Sequence, residues 1–323
     1  MDNPSNTHMD TRFDAELGFA PPASAPVRYI ERTHAWYGAL GYGNPYRYAQ
    51  FATVPFTALA KPLSASRVAL LTTAAPLQPG KGDQGARAPY NAATKFYAVY
   101  SGDTASDHDV CVSHVGVHRA HLEDDANCWF PLPALRRAVA SGRIGGLTAR
   151  FHGVPTNRSQ RHTLANDCPE VLARCREDGA DVAILVPNCP ICHQTLSLVA
   201  RHLEAQGIPT VVMGAAKDIV ELCGVPRFVF SDVPLGSAAA LPHDVASQDA
   251  TLELALRVLE GAPGPRTTVQ NPLVWPGPAG WRDDFMNPAR LSAADIAAER
   301  AANDRIKAVA QGVRDATPGA GRG

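Results

Sequence analysis

From Asp181 to Met213 the chain reads DVAILVPNCPICHQTLSLVARHLEAQGIPTVVM. Asp181 to Pro187 is a short apolar run that fits a buried strand, and Pro209 to Met213 is another. An amphipathic stretch of helical length separates them, so the segment predicts a β-α-β unit. Open parallel sheets place ligands outside the carboxyl ends of their strands. Cys189 and Cys192 stand at that edge, in a Cys-x-x-Cys, and are the candidate centre of function.

Proline suits the first helical position, where its missing N–H leaves nothing unpaired. Pro190 there puts Cys189 at the N-cap and Cys192 one turn in, on the same face. Both sulfurs then lie at the positive end of the helix dipole, which favours thiolate. In such settings Cys-x-x-Cys thiols fall from about 8.5 towards about 7 or below. His193 is a candidate proton carrier beside them. Two other readings stand: cysteines that pack as small hydrophobes, and a structural zinc site. The zinc site needs two more ligands, and the seven cysteines hold no second Cys-x-x-Cys.

At 323 residues the chain has room for one large α/β domain or two smaller ones. Lys and Arg number 30 against 31 Asp and Glu, with no long basic block, which argues against nucleic acid or an anionic membrane surface as partner. The amino terminus lacks a basic stretch followed by an apolar core, and no later run reaches membrane-span length. An odd, irregularly spaced set of cysteines is unlike a secreted disulfide framework, so a cytoplasmic protein is expected.

Residues 1–26 are polar and then Pro/Ala-rich, and are expected to form a flexible arm. Val27 to Gly41 has helical spacing; Tyr42, Tyr46, Tyr48 and Phe51 follow as core or pocket aromatics. A helix is expected around Pro55 to Lys61, then a first strand at Ser66 to Thr73. A long Gly/Pro-rich loop comes next, read as lid, partner loop or disorder. Phe96 to Tyr100 and Asp109 to Val115 read as strands, Pro131 to Ser141 as a helix closed by Gly142, and Cys168 to Gly179 as a helix whose cysteines pack. Ala216 to Cys223 and Gln248 to Leu259 read as helices, Arg227 to Phe230 as a strand with a loop at Asp232, and Leu291 to Asp315 as a long helix. This succession predicts an open, mostly parallel Rossmann-like α/β sheet with flanking helices. An extended C-terminal tail ends in a helix. The expected units are the arm at 1–26, an α/β domain at 27–262 that divides near 150–165 if it has two parts, and the tail at 263–323. Tails of this kind wrap their own domain or a neighbouring subunit, so a homo-oligomer stands among the expected partners.

His114, His118 and His121 are followed by Glu123, Asp124, Asp125 and Asn127. The stretch reads as a solvated loop, as a proton-transfer and substrate-binding cluster, or as a metal site in which His114 and His118 join Cys189 and Cys192. Neutral imidazoles beside carboxylates suit proton movement near pH 7. The glycine-punctuated segment carrying His152 matches neither GxGxxG nor a Walker pattern.

Two segments together resemble the selenoprotein B group of the glycine, sarcosine, betaine and D-proline reductases, in its D-proline reductase-like branch. One is SHVGVHRAHLEDDANCWFPLPALRRAVASGRIGGLTARFHG and the other LVPNCPICHQTLSLVARHLEAQGIPTVVM. The resemblance spans Tyr46 to His243. It places Cys189 at the family's selenocysteine and Cys192 at its partner cysteine. In that family the selenol attacks a substrate activated on the pyruvoyl group of a separate subunit and cleaves a C–N bond reductively. The resemblance thus implies a thiol-dependent reductase with Cys189 as nucleophile and Cys192 as resolving thiol. His193, His114 and His118 would assist catalysis, and His121, Asp125, Asn127, His152 and Asp232 would bind a small amino-acid-like or other electrophilic substrate. No bound cofactor is expected; an external dithiol or thioredoxin-like reductant and a pyruvoyl-type partner subunit are. The competing functions are a metal-binding protein using Cys189, Cys192, His114, His118 and His121, and a non-catalytic partner subunit.

Overall fold

The computed structural model describes residues 25–77, 80, 84, 98–112, 125–156, 159–278 and 280–316. Residues 1–24 of the expected arm, most of the long loop, Phe96, the stretch from His114 through His121 to Asp124, and the last seven residues lie outside them.

Ten strands are described. They are β1 (Arg67–Thr72), β2 (Ala75–Pro76), β3 (Tyr100–Asp103), β4 (Val110–Cys111), β5 (Gly146–Leu147), β6 (Arg150–Gly153), β7 (Val182–Val186), β8 (Thr210–Gly214), β9 (Arg227–Phe230) and β10 (Thr267–Gln270). The helices that matter here are α1 (Tyr29–Ala39), α2 (Leu132–Ala140), α3 (Cys168–Glu177), α4 (Pro190–Ala205), α5 (Lys217–Cys223), α6 (Val245–Gly261) and α7 (Ala293–Ala316).

The main sheet runs β10-β9-β8-β7-β1-β6-β3, with β5 also on β1. Every pairing in it is parallel except the edge pair of β3 and β6. From β1 the chain first builds β5 and β6 on one side, then crosses to β7 on the other and continues outward. Strand order therefore reverses between β1 and β7, and such switch points open a crevice at the carboxyl edge. No helix among the described residues is long and apolar enough to cross a membrane.

Strands buried on both faces read as continuous apolar runs. Val68, Leu70, Ile184, Val211 and Val229 face Leu135 of α2 and Leu252 and Leu256 of α6. Ala69, Leu71, Leu185, Val212 and Phe230 face Val171 of α3 and Leu196, Val199 and Leu203 of α4. Each such Leu, Ile or Val, almost all fully buried, contributes about 1.5–3 kcal/mol. That double apolar face is why β1, β7, β8 and β9 were the legible strands.

Two expectations are corrected, and strands appear where none was expected. Pro55 to Lys61 is irregular, with a bend at Ala60 and Lys61, not helical. Its backbone is claimed by the far end of α4: Thr57 N–H donates to Glu204 Oε2 at 2.6 Å, and the Thr57 carbonyl accepts from Arg227 at 2.8 Å. The strand expected from Asp109 is only Val110–Cys111, which pairs with β2 in a separate antiparallel ribbon. Finally, the glycine-punctuated stretch around His152 supplies β5 and β6, and β10 extends the far edge.

Candidate active site

Between β7 and α4 the chain turns through Pro187, Asn188 and Cys189. Cys189 is the N-cap, extended at φ −116° and ψ 173°, and Pro190 opens the helix. The cap acceptor is a sulfur: Cys192 N–H donates to Cys189 Sγ at 3.3 Å. This folds the two side chains together, leaving the sulfurs 2.8 Å apart and unbonded. Cys192 is fully buried and Cys189 keeps 5 % exposure. A backbone N–H aimed at sulfur binds more strongly as the sulfur gains charge.

Neighbouring loops close on this turn. Asn188 N–H donates to Thr73 Oγ1, just past β1, at 3.2 Å, and Thr156 Oγ1, just past β6, lies 3.5 Å from Cys192 Sγ. The thiols therefore stand at the β1/β7 switch point, where the loops that follow three strands meet.

His193 is buried beneath the turn. Its Nδ1 is 2.7 Å from the Cys189 carbonyl, and its Nε2 accepts from the Ala215 and Ala216 N–H groups at 2.9 and 3.2 Å. These contacts fix the tautomer: the proton sits on Nδ1 and Nε2 is the acceptor. Burial pushes the ring's pKa down to about 4, against a smaller opposing pull from the Cys189 carbonyl and Cys192. The ring stitches the thiol turn to the start of α5. Gly214 makes room for it, since a β-carbon there would come within 2.8 Å of His193 Cδ2.

Two of the expected aromatics join the site. Tyr46 and Tyr48 pack edge to face, ring centres 5.0 Å apart. Gln194 donates to the Tyr46 hydroxyl and accepts from Ala49 N–H. Tyr48 OH meets Thr33 Oγ1 at 3.1 Å. Burial, with the Cys189 charge adding to it, drives the Tyr48 hydroxyl well above the ordinary tyrosine range, while its bond to Thr33 opposes the shift. That phenol keeps its proton within the field of Cys189.

The other expected site residues are engaged with partners of their own, none of them a thiol, or lie outside the described residues. His152 is fully buried between Ser101 Oγ, 2.8 Å from its Nδ1, and Asp178, 3.3 Å from its Nε2. Burial lowers its pKa to about 4 despite Asp178. Asp178 precedes β7 whereas Cys189 follows it, so this partner belongs to the opposite edge of the sheet. Asp125 caps Asn127 N–H and accepts from His243 N–H and Gln248, bracing α6. Asn127 sits in the short 3-10 turn Ala126–Cys128 that Asp125 caps. Asp232 is paired with Arg282 at 2.6 Å. His114, His118 and His121 lie outside the described residues, and among those described no three His, Cys, Asp or Glu side chains are grouped to hold a metal ion.

Thr73, Thr156, Asn188, Gly214 and Gln194 were missed. Asn188 and Gly214 carried a faint signal, a turn-forming residue and a small one directly after apolar runs. Thr73 and Thr156 carried none, because only the topology brings them together. The described clefts open elsewhere, against α1 and between α2 and α6.

No family model matches the chain, and no solved structure matches it. Curated relatives do. The D-proline reductase subunit gamma of Acetoanaerobium sticklandii is 30 % identical over 210 residues, 64 % of this chain and 84 % of that protein. The glycine reductase complex component B subunit gamma of Carboxydothermus hydrogenoformans is 27 % identical over 216 residues, and that of Symbiobacterium thermophilum 24 % over 239. The chain spans about half the length of these last two, 49 % and 51 %. With most of a D-proline reductase gamma subunit matched at this identity, the chain belongs to the gamma-subunit family of the D-proline and glycine reductases.

Proposed function

We propose that the chain is the thiol-bearing subunit of a reductase complex acting on a small amino-acid-like electrophile. The observation that supports this most directly is the pair of sulfurs 2.8 Å apart at the capped start of α4. Cys189 thiolate attacks the electrophilic carbon; an S–C bond forms, a C–N bond breaks, and the nitrogen leaves with the electron pair and takes up a proton. Cys192 thiolate then attacks the Cys189 sulfur, forming a disulfide, and the carbon departs with the S–C pair and is protonated. An external dithiol or thioredoxin-like protein reduces the disulfide, so two electrons and two protons pass from dithiol to substrate.

Within this scheme Tyr48, kept protonated by burial and by the Cys189 charge, stays neutral and adds no second charge to the site. His193 serves by holding the turn, since both its nitrogens are engaged with backbone. The relatives' names place them in D-proline and glycine reductase complexes. This supports a partner subunit here too, of the pyruvoyl type that the sequence resemblance implies. The test is dithiol-driven turnover of the purified complex with Cys189→Ser and Cys192→Ser. Loss in both, with a trapped Cys189 adduct in Cys192→Ser, supports the scheme; unchanged turnover in both overturns it.

A further inference from the structure

Asn188 is fully buried, yet neither its side-chain Nδ2 nor its Oδ1 has a hydrogen-bond partner. No other described residue leaves two side-chain polar atoms orphaned in this way. Primary amides withdrawn from water without a partner are strongly disfavoured, and native chains retain them only where something else completes the bonds. The position of this one is specific. It directly precedes Cys189, and its backbone N–H is already taken by Thr73 Oγ1, so the residue is fixed at the β1/β7 switch point on the turn that carries Cys189.

We infer that Asn188 is the substrate-recognising residue of the thiol site, its amide completing its hydrogen bonds on the polar head of the substrate. An unpaired primary amide offers donors on Nδ2 and an acceptor on Oδ1. The matching ligand carries an acceptor and a donor close together, as an amino acid does: a carboxylate oxygen accepts from Nδ2, and an amino N–H donates to Oδ1. The inference rests on the thiol reading above, because the head must be held next to the carbon that Cys189 attacks. It deepens that reading by naming what selects the substrate, with Asn188 binding the head and Cys189 doing the chemistry.

The experiment uses the full chain and two probes, read at Cys189 by peptide mass spectrometry. Iodoacetate carries a carboxylate: the Cys189 thiolate displaces iodide, the S–C bond forms and the C–I pair leaves with iodide. Methyl methanethiosulfonate has no carboxylate and reports the thiol alone: Cys189 takes its methylthio group, methanesulfinate leaves, and Cys192 then displaces methanethiol, so the readout is loss of free Cys189 thiol as the Cys189–Cys192 disulfide. With the wild type, iodoacetate labelling of Cys189 saturates. In Asn188→Leu, which keeps the branched shape and heavy-atom count and removes both polar atoms, the half-saturating iodoacetate concentration rises by about 10- to 100-fold, the loss expected for a hydrogen bond to a charged group. Methyl methanethiosulfonate labelling stays within about twofold.

A second readout separates recognition from structure. Removing orphaned polar atoms from a buried site leaves the thermal midpoint of Asn188→Leu unchanged or about 2–4 °C higher. Asn188→Ala tests the same point without a branched side chain. Unchanged iodoacetate saturation in both variants, or a midpoint that falls in both, overturns the inference while the thiol reading stands. Failure of methyl methanethiosulfonate to consume the wild-type Cys189 thiol, as either the methylthio adduct or the Cys189–Cys192 disulfide, overturns both.

Discussion

Two sets of cysteines in this chain share one residue type and nearly one degree of burial, yet differ in what surrounds the sulfur. Cys168, Cys175 and Cys223 lie within helices against the sheet, and Cys128 in the core beside α2. Burial drives each of these four thiols up to about 12. Cys189 and Cys192 are buried too, but one sulfur caps a helix, accepts a backbone N–H and touches the other. The difference lies in the backbone beside the sulfur: the π-turn Thr163–Asp167 runs straight into Cys168, whose N–H is paired to the Thr163 carbonyl, Cys128 N–H is paired to the Asp125 carbonyl, and Cys175 and Cys223 lie later in their helices, whereas at the start of α4 the N–H groups are unpaired and face the side chain. Burial alone therefore makes a silent thiol, and burial at a helix N-terminus beside a second sulfur makes a site.

The strongest test of that contrast is Cys189→Ser. Turnover driven by a dithiol is expected to fall by at least about 10³-fold, as for loss of a covalent nucleophile. Cys192→Ser removes only the resolving step. Its steady-state turnover falls by about 10²-fold or more, while a single equivalent of substrate still modifies Cys189, visible as a mass increment in the intact chain. Cys189 left unmodified in Cys192→Ser would break the assigned division of labour.

That site was legible because it needed only local signs. A strand-length apolar run, a proline at the first helical position and two cysteines three apart describe one turn of one β-α-β unit, and Cys189 stands at that N-cap. Illegible were the groups that reach the turn through topology. Thr73 and Thr156 are distant in sequence and meet the turn only because β1 lies beside β7 and β6 beside β1. His193 was noticed for its place next to Cys192, and that place conceals its engagement, because the partners of Nε2 come from the loop after β8. The misread stretch at Pro55 to Lys61 fails for the same reason. Its local preference is overridden by Glu204 and Arg227, a buried ion pair 2.8 Å apart that takes up Thr57.

His193 gives the next prediction in size. In the fold its pKa is about 4 against about 6.5 unfolded. Between those values the unfolded chain binds the extra proton, so the contribution of His193 is complete above about pH 6.5 and is lost as pH falls towards 4. His152 acts in the same direction. Asp167 and Asp218, raised to about 7 and about 6 by burial, act oppositely and gain stability as pH falls. The total curve therefore mixes signs, and the difference between wild type and His193→Gln isolates one group. That difference should shrink between pH 6.5 and 4 by up to about 1.4 kcal/mol per pH unit, measured by urea unfolding. At pH 7 His193→Gln is expected to lose about 2–4 kcal/mol, since the Ala215 and Ala216 N–H groups lose their acceptor. Gly214→Ala, whose β-carbon would come within 2.8 Å of Cδ2 and 2.9 Å of Nε2, crowds the ring and should lose a similar amount. A pH-independent difference would remove His193 from its assigned place.

The smallest expected effect falls on the silent set. Cys168 and Cys175 share with Val171 the face of α3 that packs with Leu185 and Val199. Replacing either with Ala removes one sulfur from a close-packed layer, for about 1–2 kcal/mol of stability. Turnover per folded molecule should stay within about twofold, because nothing in the site touches α3 through these sulfurs. Reaction with iodoacetamide sharpens the point: at pH 8 the native chain should label at Cys189 before Cys168, Cys175 or Cys223, and those three should become reactive only as the chain unfolds in urea. Cys168 labelling in the native state as fast as Cys189 would mean that the helix start confers no advantage. The contrast between the two sets would then reduce to position in the sheet.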